Sequence, residues 1–306
     1  MTHFADRLIE AVRRAGNPVL VGLDPVPAQF PKAVREGFGD DLPGLADATR
    51  AFGKGIVDAV RGLAPAVKLQ AAYFEALGPF GMQAMWDTAR HAMDSGLIVL
   101  IDGKRNDIGS TAEAYARAYL GDDRHESAWP ADALTVNPYL GIDGIAPFLN
   151  AANARGKGIF VLVRTSNPSA GDFQDLNADG RPLYEQVARR LGEWGRASVG
   201  EGGYSNAGAV VGATYPEQIK ALRAQLPHIW FLIPGYGAQG GTAADVAAAF
   251  DSRGLGALIN NSRAILNAHS RPDLAGRFGA DWQGATAEAV RLMIADLQAH
   301  IPMPSA

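Results

Sequence analysis

Residues 97–111 read Leu-Ile-Val-Leu-Ile-Asp-Gly-Lys-Arg-Asn-Asp-Ile-Gly-Ser-Thr, an apolar run ending in an acid, a base and an acid. Residues two apart on a strand face the same way. Asp102 and Lys104 therefore share a face above Leu100, and Asp107 follows in a loop. Ser110 and Glu113 are spaced as a capping box opening a helix through Tyr115 and Tyr119. An ammonium fixed between carboxylates can move a proton or stabilise a developing negative charge. The competing use of these residues is a surface ion pair beside a helix cap. It is weakened because one apolar strand carries both Asp102 and Lys104 on a single face.

Other candidates end apolar runs in the same way. Lys68 lies inside Ala66–Gln70, flanked by Val67 and Leu69. If those two face outward, Lys68 points inward and must meet an acid or lose its proton. Asp24, which ends Pro18–Asp24, and Asp102 are the acids on neighbouring strands. Ser166 follows the run 158–165. The glycine-rich segment Pro234-Gly235-Tyr-Gly-Ala-Gln239-Gly-Gly241 follows Trp230–Pro234, and Asn260-Asn261-Ser262-Arg263 closes the last run. Taken singly, each of these last two segments is weak evidence. Together they read as a phosphate cup, with glycine exposing backbone N–H groups and Arg263 able to grip two phosphate oxygens.

The elements that would hold these groups are eight short apolar strands alternating with helices, near residues 18–24, 66–70, 97–104, 133–140, 158–165, 207–214, 230–234 and 256–261. Helices are expected at 4–15, 45–62, 81–95, from 111, and at 142–155, 183–197, 216–225, 243–250 and 285–300. Such alternation implies parallel strands joined by crossovers. Eight units in 306 residues favour one closed (β/α)8 TIM barrel, a single domain spanning 1–306 with an N-terminal helix and long loops after strands one and five. In that fold functional groups sit at the C-terminal ends of strands, and the loops after strands seven and eight form the usual phosphate site.

Composition narrows the classes further. There are 28 Lys and Arg against 32 Asp and Glu, a formal net charge of −4, so no basic surplus points to nucleic acid. With no cysteine, disulfides and thiolate metal sites are excluded. The first sixteen residues mix acids and bases and lack a signal-peptide centre, and no apolar run is long enough for a bilayer. A cytoplasmic protein without membrane partners is expected. The six histidines are scattered over helices and loops, so histidine-based metal catalysis is not expected.

Asp102-x-Lys104-x-x-Asp107-Ile108, with Thr111 following, resembles the signature of the orotidine 5'-phosphate decarboxylase family. Asp24, Lys68, Ser166-Asn-Pro, the glycine-rich segment and Ser262-Arg263 extend the likeness from strand one to strand eight. The form Asp-Gly-Lys-Arg-x-Asp-Ile-Gly-Ser-Thr, the length and the long fifth loop resemble the bacterial type 2 subfamily. Asn106 departs from it, standing where glycine is expected. The resemblance implies removal of CO2 from C6 of orotidine 5'-monophosphate to give uridine 5'-monophosphate, as a step of pyrimidine synthesis, with no cofactor or metal. It implies that Lys104 protonates C6, with Asp102, Asp107 and Lys68 as the other members of the catalytic set. It implies that Asp24 binds ribose hydroxyls and Ser166 the pyrimidine edge, and that Pro234, Gly235, Gln239, Ser262 and Arg263 bind phosphate. Ile108 joins the substrate contacts. Asp107 and Thr111 would reach the site of a second subunit, making the active unit a homodimer. Two other readings remain open from the residues: a magnesium-dependent sugar-phosphate decarboxylase or aldolase, whose motif begins with Glu in place of Asp102, and a non-catalytic nucleotide-binding barrel.

Overall fold

The computed structural model describes residues 2–237 and 240–304. Eight parallel strands close on themselves: β1 (Val19–Leu23), β2 (Ala66–Gln70), β3 (Ile98–Arg105), β4 (Ala133–Val136), β5 (Gly158–Arg164), β6 (Ala207–Val211), β7 (Phe231–Ile233) and β8 (Ala257–Asn261), with β8 pairing back onto β1. The principal helices are α1 (Phe4–Ala15), α2 (Leu42–Val60), α3 (Gly78–Asp94), α4 (Gly109–Leu120), α5 (Ala146–Arg155), α6 (Leu183–Gly195), α7 (Pro216–Gln225), α8 (Ala243–Val246) and α9 (Trp282–Gln298). This is a (β/α)8 TIM barrel. Among the described residues no helix is long and apolar enough to cross a membrane.

Alternation along the strands divides the core in two. Val19, Val21, Val67, Leu69, Val99 and Ile101 face outward and pack with the helices. Leu20, Ala66, Leu100, Phe160, Trp230 and Leu258 face inward and fill the barrel. The apolar stripe of α1, with Phe4, Leu8, Ile9 and Val12, joins this inner cluster and plugs the barrel floor. Phe4 meets Phe160 edge-on at 6.3 Å between ring centroids. Gly16, at φ 67°, ends α1 in the left-handed conformation open to glycine.

The strands are found where the apolar runs lie, but several boundaries differ. β4 stops at Val136, not Leu140, because Pro138 has no N–H to continue the ladder. The helix expected from Ile142 begins as a 3-10 turn, Gly141–Gly144, before α5. The helix at 243–250 is only α8 followed by a 3-10 turn at Ala247–Ala249. Ser110 and Glu113 form no capping box. Asp107 Oδ1 accepts the Ile108 N–H at 2.8 Å, and the chain turns early, so Ile108 is the N-cap and Ser110 lies inside α4. A true capping box stands at Thr242 and Asp245. Unforeseen single turns fill 71–75 and 263–266, and a helix spans Pro272–Phe278. Within the long loop after β5, Asn177–Ala178 pairs with Arg181–Pro182 as a small antiparallel hairpin.

Phe4→Ala opens the plug at the end of the barrel away from the strands' C-termini. It should cost about 3–5 kcal/mol in urea denaturation while leaving the turnover of the folded protein close to that of the parent. A large turnover loss in folded Phe4→Ala would contradict this separation of floor and mouth.

Candidate active site

β2 and β3 build the charged side of the mouth. The ladder sets Lys68 opposite Leu100 and Gln70 opposite Asp102. Val67 and Leu69 do face outward, so Lys68 points into the barrel, where it is only 4% exposed. Its Nζ donates to Asp102 Oδ2 at 3.0 Å and to Gln70 Oε1 at 3.1 Å, with Asp24 Oδ1 at 3.7 Å. Lys104 Nζ donates to the other oxygen of the same carboxylate, Asp102 Oδ1, at 2.7 Å. Thr135 on β4 donates its hydroxyl to that oxygen at 2.8 Å and accepts the Lys104 backbone N–H at 2.9 Å.

These contacts fix the protonation states. Burial raises the Asp102 carboxyl, but Lys68 and Lys104 outweigh it and hold it well below the usual carboxylate range. Burial likewise disfavours the Lys68 ammonium, yet Asp102 and Asp24 outweigh that and lift its pKa above the ordinary lysine value. The cluster thus carries two ammoniums bridged by one carboxylate.

These groups line a cavity of about 520 Å³, together with Thr165, Ser166, Asn167, Gln174 and the apolar Leu162, Val210 and Leu232. Across it lie Pro234, Gly235, Tyr236, Asn260, Asn261, Ser262 and Arg263. The volume falls within the roughly 300–1,000 Å³ of small-ligand sites. Gly22 lets the β8 end approach β1: a Cβ there would fall 2.0 Å from Ser262 Oγ. Gly235 turns the seventh-strand segment at φ 98°, and Tyr236 anchors that segment by hydrogen bonding to Asp296 of α9. Among the described residues Arg263 has no carboxylate within ion-pair distance. Its guanidinium charge is therefore available to an anion.

The loop after β5 is tied down beside the cavity. Arg164 is 2% exposed, pairs with Asp175 at 3.0 Å and donates to Gln218 at 2.9 Å. Gln174 Oε1 accepts the Thr165 N–H at 2.9 Å. These bonds hold Ser166 and Asn167 against the ring of strands.

Asp107, Ile108 and Thr111 do not join the cavity of their own chain. Ile108 is 55% exposed and Thr111 is exposed. Asn106 fits the turn before Asp107 because Gly144 faces it: a Cβ on Gly144 would come within 2.5 Å of Asn106 Oδ1. Gln239 lies outside the described residues. Tyr119 packs on Trp129 and its hydroxyl accepts from Arg105, a structural role. Sequence reasoning missed Gln70, Thr135 and Gln174 as lining groups. Gln70 was detectable, standing two residues after Lys68 on the same strand face. Asn260 and Asn261 lay in a recognised motif, and among the described residues each keeps a buried Oδ1 without a hydrogen-bond partner, as does Asp24.

Comparison with known proteins shows the family to which this barrel belongs. Residues 20–277 match the model of the orotidine 5'-phosphate decarboxylase / HUMPS family. The chain belongs to that family. An orotidine 5'-phosphate decarboxylase of Rhodopirellula baltica is 49% identical over 292 residues, covering 94% of this chain and 97% of that one. One from Caldicellulosiruptor saccharolyticus is 41% identical over 277 residues, 88% of this chain and 91% of its own. The structure of the Leishmania donovani OMP decarboxylase superposes with a TM-score of 0.76 at 31% identity, covering 97% of this chain and 98% of that chain. The chain is accordingly an enzyme of the carboxy-lyase class.

The sign of the pH dependence follows from the two shifts. Asp102, lowered, contributes its full stabilisation above the unfolded carboxylate pKa of about 3.9 and loses it as pH falls toward its folded value. Lys68, raised, contributes fully below about 10.4 and loses it as pH rises through its folded value. Asp102→Asn should therefore cost about 3–5 kcal/mol at pH 7 by leaving buried Lys68 undercompensated, and the deficit should shrink below about pH 4. A deficit of the same size in urea melts at pH 7 and pH 3 would refute the assignment.

Proposed function

We propose that Lys104 is the proton donor to C6 when this chain decarboxylates orotidine 5'-monophosphate to uridine 5'-monophosphate. The observation that carries the reading is the Lys104 ammonium on Asp102 at 2.7 Å, facing a cavity whose far wall presents Arg263, which has no carboxylate partner among the described residues. When the C6–carboxylate bond breaks, CO2 leaves and the electron pair stays on C6, in the plane of the ring, where no carbonyl can delocalise it. A preorganised ammonium stabilises that pair as it forms and then transfers its proton to C6. Lys104 then regains a proton from water. Asp102 and Lys68 hold Lys104 aimed, and Asp102 stays ionised throughout. Repulsion between Asp102 and the substrate carboxylate would add ground-state destabilisation, but carbanion stabilisation carries more weight here.

In the same reading Asp24, whose Oδ1 stands 3.7 Å from the Lys68 ammonium, takes the ribose hydroxyls, and Ser166 meets the pyrimidine edge. Pro234, Gly235, Gln239, Ser262 and Arg263 receive the phosphate. Phosphate contacts far from C6 lower the barrier by driving closure around the substrate. Asp107, Ile108 and Thr111 serve the site of a second subunit in a homodimer. Their position outside their own chain's cavity supports that sharing. The Asp-Gly-Lys-Arg motif and long fifth loop support membership of the bacterial type 2 branch, with pyrimidine synthesis in the cytoplasm as the setting. Asp102, where magnesium-dependent relatives have Glu, favours the metal-independent reaction, so turnover should survive chelator.

Lys104→Ala should keep its affinity for uridine 5'-monophosphate and lose turnover by about 10³-fold or more. Near-parental turnover would remove Lys104 from the mechanism. Arg263→Ala should lower kcat/KM for the nucleotide by on the order of 10²-fold while barely affecting a substrate fragment without phosphate. Equal losses on both would contradict the phosphate role. Mixing inactive Lys104→Ala with inactive Asp107→Ala should restore roughly a quarter of parental activity, the statistical yield of one intact site per mixed dimer. No recovery after subunit exchange would mean that the sites are not shared.

A further inference from the structure

We infer that Thr135 is a positioning residue for the proton donor, its one hydroxyl locking the Lys104 backbone to the Asp102 carboxylate. The inference rests on the reading of Lys104 given above.

The β3–β4 ladder breaks where the chemistry lies. From Ile101 to Arg105 β3 advances four residues, while β4 advances only two, from Leu134 to Val136. The excess chain bulges at Gly103 and Lys104, and Lys104 adopts φ 47°. This left-handed conformation is disfavoured for a residue with a side chain and persists only where its surroundings impose it. In the bulge Lys104 falls outside the paired register of the two strands, and its N–H turns to a side chain. Thr135 Oγ1 accepts it at 2.9 Å, and the Thr135 proton goes to Asp102 Oδ1 at 2.8 Å. Lys104 Nζ reaches that same oxygen at 2.7 Å, closing a ring from the lysine backbone through threonine and aspartate to the lysine ammonium.

A hydroxyl has one proton and two lone pairs, so it can accept from the backbone and donate to the carboxylate at once. Thr135 is 1% exposed, so its hydroxyl is held within the strand ring at the edge of the cavity. The ring converts an unfavourable backbone conformation into a fixed origin for the lysine side chain. A fixed origin matters because a displacement of about 1 Å at a reacting group can cost on the order of 10²-fold in rate. Valine would fill the same volume without either bond, and serine would keep both bonds without the methyl group.

The test compares full-length Thr135→Val, Thr135→Ser and Lys104→Ala in steady-state decarboxylation and in titration with uridine 5'-monophosphate. Thr135→Val should lower kcat by about 10- to 100-fold, with KM and product affinity within about threefold of the parent. Thr135→Ser should stay within about threefold in kcat. A residue that merely supported the fold would reduce the folded fraction and leave kcat per folded molecule unchanged. If Thr135→Val fails to fold, Thr135→Ala, which also lacks the hydroxyl, carries the same expectation. Unchanged kcat in the hydroxyl-free variants beside an inactive Lys104→Ala would overturn the role of Thr135 alone. So would a serine variant as slow as the valine one. An active Lys104→Ala would overturn both this inference and the reading beneath it.

Discussion

One carboxylate shared by two ammoniums is the contact on which the mouth of this barrel depends. Lys68 is almost fully enclosed, and Asp102 and Asp24 offset the burial that disfavours its charge. Asp102 is itself nearly buried and stays ionised because Lys68 and Lys104 hold its two oxygens. Neither lysine nor acid would be stable there alone. Truncating one member of a buried pair costs far more than the pair contributes, because it strands the other charge. The fold therefore fixes the charge pattern, and the charge pattern fixes where the Lys104 ammonium faces the cavity.

The rest of the barrel divides the work by height and by side. Apolar side chains and the α1 plug fill the floor, away from solvent and substrate. At the mouth, strands β1 to β4 carry the charged cluster, and the ends of β7 and β8 carry Arg263 and its polar neighbours. In the proposed reading a substrate with a reacting ring at one end and a phosphate at the other would span the two sides. Gly22 makes that geometry feasible by letting Ser262 settle against β1, where any side chain would collide with it.

The strands were legible because each is a short apolar run, and β2 and α1 matched to the residue. The direction of Lys68 was legible from its apolar neighbours on either side. Local patterns failed where a longer-range contact decided the outcome. The spacing of Ser110 and Glu113 fits a capping box, but the Asp107 carboxylate turned the chain earlier. Thr135 sits in a run indistinguishable from ordinary strand sequence. Its importance depends on the β3–β4 register and on a two-residue bulge, neither of which is encoded in its immediate neighbours. The anchoring of the fifth loop by Arg164 joins residues far apart in the chain, and no periodicity reveals it.

In the proposed mechanism the Lys104 ammonium and the carbon C6 exchange a proton. By microscopic reversibility the bound product must then trade its C6 hydrogen through the same group. The direct measurement is proton NMR of uridine 5'-monophosphate incubated with the enzyme in D2O. Deuterium should enter C6 with the parent enzyme and should not with Lys104→Ala at saturating product. Equal rates of exchange in the two proteins would contradict it.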